Sequence, residues 1–264
     1  MKDVDFSGST VVVTGGACGI GRAIAEACAA AGARVAVLDV KHEETASLLE
    51  ELPGEGHLCV TGNAGVEEDV RSFAEKVLEC FGHVDVLVNN ACITRRGILS
   101  GCSFEEFNEV LRVGVSAPYL LSLLFRDHFS RGASIVNIAS TRASMSQKDT
   151  ESYSAAKGAL TSLTHALAMS LAPFGVVGAQ LQTRIWLEYA VGKPVVSSSD
   201  TERQLEQRVF LVGRQRRSVA QIERLARNAL EVGLVGDERT DGDGRRDEVS
   251  AFEVHAPEIG RAHV

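Results

Sequence analysis

Thr10-Val11-Val12-Val13-Thr14-Gly15-Gly16-Ala17-Cys18-Gly19-Ile20-Gly21 decides how the chain is read. Its opening is a short β-branched run, glycines follow, and from Arg22 to about Ala31 the sequence is Ala-rich and predicts a helix. Strand, glycine turn and helix start in that order are the context of a dinucleotide fingerprint. The glycines allow tight turning and close backbone approach, and the helix N-terminus faces a pyrophosphate. A turn with a purely structural role is the lesser reading. The next strand, Arg34 to Leu38, ends in Asp39, 18 residues after Gly21. An acid there accepts hydrogen bonds from adenosine ribose hydroxyls and repels a 2′-phosphate, which predicts NAD in preference to NADP. Lys41 and His42 follow closely and soften that preference.

Working outward, the pattern repeats. A helix from about Glu43 to Leu52 leads through Pro53-Gly54-Glu55-Gly56 to a strand over His57 to Thr61, then Gly62-Asn63-Ala64. Asp69 to Phe81 is amphipathic, with Val70, Phe73, Ala74, Val77 and Leu78 at helical spacing. Val84 to Val88 is the fourth strand. It ends in Asn89-Asn90-Ala91-Cys92, whose side-chain amides are suited to bonding loop backbone. A long helix is predicted from Ser103 to about Phe129, and the apolar run Ala133 to Ala139 reads as a buried parallel strand. Strand alternating with helix, without a hairpin, specifies an α/β fold: a parallel sheet with helices on both faces.

That last strand ends at Ser140, and residues at the carboxyl ends of such strands face the ligand crevice. Tyr153-Ser154-Ala155-Ala156-Lys157 follows. A tyrosine and a lysine four apart share one helix face, which brings an ammonium near a phenol. A free phenol with a pKa near ~10 is a poor base at neutral pH, and a neighbouring cation stabilises its anion. Lowering that pKa by about two to three units takes roughly 3–4 kcal/mol, within reach of a close, partly desolvated charge. Ser140 would hold the substrate oxygen that gains or loses the proton. The Tyr/Lys spacing alone is weak, because many unrelated helices carry it; the strand-end serine gives it weight.

Composition narrows the function classes. The net charge of −8 and pI near 5.4 argue against a generic nucleic-acid or anionic-membrane surface. Met1 to Phe6 has no apolar stretch after Lys2, so no signal peptide is read, no apolar run reaches membrane-spanning length, and the cytoplasm is the expected location. Six cysteines (18, 28, 59, 80, 92 and 102) without a C-x-x-C pair read as reduced, mostly buried thiols, with no metal site.

Taken together, Thr14-Gly15-x-x-x-Gly19-Ile20-Gly21, Asp39, Asn89-Asn90-Ala91, and Ser140 with Tyr153 and Lys157 resemble the short-chain dehydrogenase/reductase family over about residues 6–175. The resemblance implies a Rossmann-type doubly wound parallel sheet and an NAD-dependent oxidoreductase that transfers a hydride between nicotinamide and a small alcohol or ketone. Tyr153 would be the general acid/base; Lys157 would lower its pKa and bind the nicotinamide ribose; Ser140 would orient the substrate. Thr14, Gly15, Gly19, Ile20, Gly21, Asp39, Asn63, Ala64, Asn90 and Ala91, with Tyr153 and Lys157, would hold the cofactor. The family also implies a homo-oligomer, paired through its fourth and fifth long helices. Three positions depart from it. Gly114 stands where the family has a helix-bending asparagine whose carbonyl holds a relay water; Asn63 replaces an aspartate that meets the adenine amine; Cys92 replaces a glycine.

The last third does not follow the pattern. Val176 to Leu181 predicts a short sixth strand and Thr183 stands near the place of a nicotinamide-contacting threonine, but no Pro-Gly follows. Residues 178–264 hold 12 arginines and one lysine, against 9 and 5 in residues 1–177, and this jump coincides with the loss of family motifs. We therefore divide the chain into a dinucleotide-binding and catalytic region, 1–177, and a divergent segment, 178–264, with a sheet incomplete or irregular after residue 175. Gly236 to Asp247 is charged, Gly-rich and aperiodic, which predicts disorder, and a helix is predicted from about Val219 to Val232. Glu258 to Val264 resembles the translation of a sequencing-adapter oligonucleotide, so the tail is read as partly out of frame, the rival reading being a genuinely divergent C-terminus with its own substrate pocket. Finding the same coding sequence in intact genomic DNA would sink the out-of-frame reading. The alternative function this leaves open is a nucleotide-binding, catalytically impaired relative.

Overall fold

The computed structural model describes residues 5–183. Six strands, β1 (Thr10–Thr14), β2 (Arg34–Asp39), β3 (Leu58–Thr61), β4 (Val84–Asn89), β5 (Phe129–Ser140) and β6 (Val177–Thr183), alternate with helices α1 (Gly19–Ala30), α2 (His42–Glu51), α3 (Glu67–Phe81), α4 (Phe104–Leu111), α5 (Ala117–Leu124) and α6 (Glu151–Leu171). All strand pairs are parallel, in the order β3-β2-β1-β4-β5-β6. This is the doubly wound Rossmann order, and its reversal point lies between β1 and β4, where a crevice opens at the strands' carboxyl ends.

The near-continuous apolar strands follow from cover on both faces. Val11, Val13, Val35, Val37, Val86 and Val88 pack with Ile24, Cys28 and Leu48 of α1 and α2. The alternate positions Val12, Ala36, Leu38, Leu87 and Ile135 pack with Val70, Phe73 and Val77 of α3 and with Leu121 and Phe125. Such alternation fixes each strand's register, because a one-residue slip would exchange the two faces.

Three local expectations change. The predicted helix from Ser103 to Phe129 forms but ends early: α4 passes through a π-helical turn, Arg112–Ser116, into α5, which stops at Leu124, and β5 already begins at Phe129. Leu120, Leu121 and Leu124 supply apolar spacing up to the real end, and nothing in that spacing marks where the chain becomes extended. The sixth strand is formed, with Ser134↔Val177 through Ser140↔Thr183 in register. Its Gly178 is needed where β6 meets α6, since a Cβ there would lie 2.8 Å from the Ala168 Cβ. The division at residue 178 thus falls inside a strand, and the sheet continues to Thr183. Finally, of the six free cysteines only Cys28 is buried, while Cys18, Cys80 and Cys92 are exposed. Among the described residues no helix is long and apolar enough to cross a membrane. The expected helix at 219–232, the disordered stretch and the terminal segment lie outside the described residues.

Candidate active site

The glycine loop is tied down from two sides. Asp39, at the end of β2 and only 7% exposed, accepts the Ala17 amide at 2.9 Å and the Lys41 amide at 3.1 Å. Each carboxylate oxygen retains lone-pair capacity for a further donor. From the β4 side, the Asn90 side-chain amide donates to the Thr14 and Gly15 carbonyls at 3.1 and 2.8 Å. The Thr14 hydroxyl oxygen in turn accepts the amides of Asn90 and Ala91, both at 3.1 Å. Thr14 and Asn90 therefore clamp β1 to β4 across the reversal point. Asn90 bonds loop backbone as expected; Asn89 instead donates to the Asn137 side chain at 2.7 Å, and Asn137 to Thr164 at 2.8 Å, which links the sheet to α6.

The glycines divide into two roles. Gly15 (φ +63°) and Gly21 are required by packing, since a Cβ on Gly21 would lie 2.0 Å from the Gly15 carbonyl oxygen. Gly19 (φ +56°) has open space where its Cβ would be. Helix α1 starts at that open space with no side-chain cap and no acidic residue in its first turn. Unpaired first-turn amides and a positive dipole end suit an anionic pyrophosphate, so the residues present fit a dinucleotide. Ile20 is partly buried against the core. Asn63 already uses its side-chain oxygen for the Gly65 amide at 2.8 Å, and Ala64 packs in the core, which leaves its backbone to meet a ligand.

Ser140, Tyr153 and Lys157 are brought together where β5 meets α6. The Ser140 hydroxyl oxygen accepts the Arg142 amide at 3.2 Å and stands in hydrogen-bonding relation to the Tyr153 phenol. Lys157 is 3% exposed; its Nζ donates to the Ile138 carbonyl at 2.7 Å and lies 5.5 Å from the Tyr153 ring centroid. Burial pushes the Tyr153 phenol up, reinforced by the Cys92 thiol, while Ser140 and Arg142 act to lower it. Burial pushes Lys157 down. The direction at Tyr153 is opposite to the sequence expectation, because desolvation outweighs the favourable groups and the Lys157 ammonium is directed at the Ile138 carbonyl.

A buried ammonium is costly even with one good partner, by several kcal/mol, whereas a lost hydrogen bond costs about 1 kcal/mol. Lys157→Met is therefore expected to leave the melting temperature unchanged or raised while removing turnover. A marked fall in melting temperature would contradict this balance.

Gly114 lies in the π-helical turn, buried, where an added Cβ would be 3.2 Å from the Ala156 Cβ, next in sequence to Lys157. A π-helical turn thus forms here without an asparagine, and such a turn frees backbone groups from the regular helical ladder. Sequence reasoning missed Arg142, Cys92 and Asn137 as neighbours of the site. Arg142 and Asn137 each lie within three residues of Ser140, which is the signal that would have found them.

The family profile described as short chain dehydrogenase matches residues 9–182, so the chain belongs to the short-chain dehydrogenase family of oxidoreductases. An uncharacterized oxidoreductase of Thermotoga maritima is 40% identical over 65% of this chain and 68% of its own length. Among solved structures, a 3-ketoacyl-(acyl-carrier-protein) reductase from Brucella melitensis, complexed with NADH, is 29% identical with a TM-score of 0.65, covering 71% of this chain and 84% of that one. A blue fluorescent protein from a metagenomic library, in complex with NADPH, is also 29% identical, with a TM-score of 0.64 over 67% and 74% of the two chains.

Proposed function

We propose that this chain is an NAD(H)-dependent dehydrogenase or reductase acting on the CH–OH group of a small alcohol or on the matching ketone. The observation that carries the reading is the convergence of Ser140, Tyr153 and Lys157 at the carboxyl end of β5, in the same sheet as a glycine loop pinned by Asp39. When bound, the nicotinamide supplies the hydride acceptor or donor. Ser140 holds the substrate oxygen, the Tyr153 phenol receives or returns its proton, and Lys157 keeps a positive charge by the ring. The test is a screen of alcohols and ketones by nicotinamide absorbance. A change seen with a substrate and dependent on Tyr153 is expected; absence of turnover across the panel despite tight NADH binding would favour the catalytically impaired alternative.

Cofactor choice rests on Asp39, whose buried carboxylate repels a 2′-phosphate, against Lys41 nearby. We expect Asp39→Ser to weaken NADH by about tenfold, close to 1.4 kcal/mol, and to narrow or reverse the discrimination against NADPH. Unchanged affinities for both nucleotides would remove Asp39 from the cofactor assignment.

The same reading makes the protein a homo-oligomer. Phe104 of α4, Tyr119 and Leu123 of α5, and Met169 of α6 are exposed apolar side chains on the helices the family pairs. A monomeric mass in light scattering would contradict it. Three exposed unpaired thiols suit a reducing compartment, in keeping with the cytoplasm.

A further inference from the structure

Two loops leave the carboxyl ends of neighbouring strands β4 and β5. One follows β4 and turns at Gly97–Ser100; the other follows β5 and ends at Asp149, just before α6. They are joined by carboxylates. Asp149 accepts the Leu99 amide at 3.0 Å on Oδ1 and the Ser100 hydroxyl at 2.6 Å on Oδ2, while Glu151 Oε2 accepts the Ile98 amide at 3.2 Å. Asp149 is the only non-glycine residue with positive φ, +61°, among the described residues. That conformation is uncommon outside glycine, though aspartate tolerates it better than most, and it is kept where surrounding contacts hold it. The opposing residue is equally constrained. A Cβ on Gly97 would lie 2.2 Å from the Asp149 Cα, 2.3 Å from Glu151 Oε2 and 2.4 Å from Asp149 Oδ1, so only glycine permits this approach.

These bonds carry consequences for the site because of what each loop bears. The Gly97–Ser100 turn holds Ile98 and Leu99, 76% and 70% exposed, an unusual placement for two adjacent large apolar side chains. Asp149 and Glu151 precede Tyr153 by four and two residues on the segment that enters α6. A turn held at that point has a fixed position relative to the phenol; a free turn does not.

We propose that Asp149 is a positioning residue for substrate: it latches the Gly97–Ser100 turn, with Ile98 and Leu99, onto the start of α6 and so sets the wall of the substrate cleft beside Tyr153. The proposal rests on the reading above that this cleft takes the substrate. Glu151 assists through Ile98. The nucleotide side, built from the β1 and β2 loops, is untouched by the latch.

Hydrogen–deuterium exchange on the full chain tests the contact without needing a substrate. In wild type the Ile98 and Leu99 amides exchange slowly. In Asp149→Ala they exchange about tenfold or more faster, with β4 and the middle of α6 unchanged, because only local opening is affected. Asp149→Asn, which tolerates the same backbone and keeps one acceptor, restores part of the protection. Fast exchange of these amides in wild type, or no change in Asp149→Ala, overturns the latch. Should Asp149→Ala unfold, Ser100→Ala deletes a single hydroxyl and reads the same segment; an unaltered rate there also overturns it.

The functional arm separates this proposal from the activity it rests on. With a substrate that turns over, Asp149→Ala raises KM about tenfold, keeps kcat within about twofold and leaves the NADH Kd unchanged. A fall confined to kcat, or a weakened NADH Kd, overturns the positioning role. Absence of NADH binding in wild type would defeat the functional reading instead, and the exchange arm would still decide the latch.

Discussion

Tyr153→Phe is expected to lower kcat by about a thousandfold or more while NADH binding and the melting temperature stay close to wild type. The substitution removes one oxygen from a half-buried ring and leaves the ring beneath the Lys157 ammonium, so packing and the cation–ring contact persist. What disappears is the group proposed to carry the substrate proton, together with the partner of the Ser140 hydroxyl. Burial holds the phenol above its ordinary value of 10.0, so the anion is scarce at neutral pH. Oxidation of an alcohol, which needs the anion as base, is therefore expected to quicken as pH rises toward the phenol's raised value; reduction, which uses the neutral acid, is expected to lose speed there. A variant that retains turnover would take the acid/base role away from Tyr153.

Gly21→Ala is expected to abolish nucleotide binding and to destabilise the chain by about 3 kcal/mol, at the upper end for overpacking. The new Cβ would sit 2.0 Å from the Gly15 carbonyl oxygen and 2.5 Å from the Asn90 side-chain nitrogen. The first atom is backbone, and the second belongs to the clamp between β1 and β4, so neither can yield without opening the loop. A loss of that size in a domain this large lowers Tm by roughly 6–12 °C. Gly19→Ala is the contrasting case. Its Cβ meets no atom, so the cost is confined to a left-handed backbone, about 1–2 kcal/mol, and to intrusion into the space a pyrophosphate would use. Thermal melting with NADH titration of both variants checks the division: similar stability losses in the two would contradict it.

The strand-turn-helix opening and the alternation that follows were legible because the strands are nearly continuous in apolar residues and α1 and α3 carry clear apolar stripes. The end at Leu124 of the helix predicted from Ser103 was hidden, since Phe125 and Phe129 continue the helical spacing of Leu121 and periodicity reads them as more helix. That Ser140, Tyr153 and Lys157 come together was legible from their spacing and from the strand-end position of Ser140. The direction of the Tyr153 shift was not, because it depends on burial and on whether Lys157 meets the phenol or the Ile138 carbonyl, which no spacing encodes. The Asp149 latch was equally invisible, as it joins residues about fifty positions apart through a backbone conformation. Gly114 marks the middle ground: its departure from the family residue was plain in the sequence, and the π-helical turn at that position was not.

Fluorescence titration of the full-length protein with NADH and separately with NADPH decides whether the first two-thirds of this chain form the proposed NAD-selective nucleotide site. Saturable binding of NADH, with NADPH weaker by about tenfold or more, is the result expected from the Asp39 carboxylate and the open α1 N-terminus. Binding of neither nucleotide, or tighter binding of NADPH, would contradict the account.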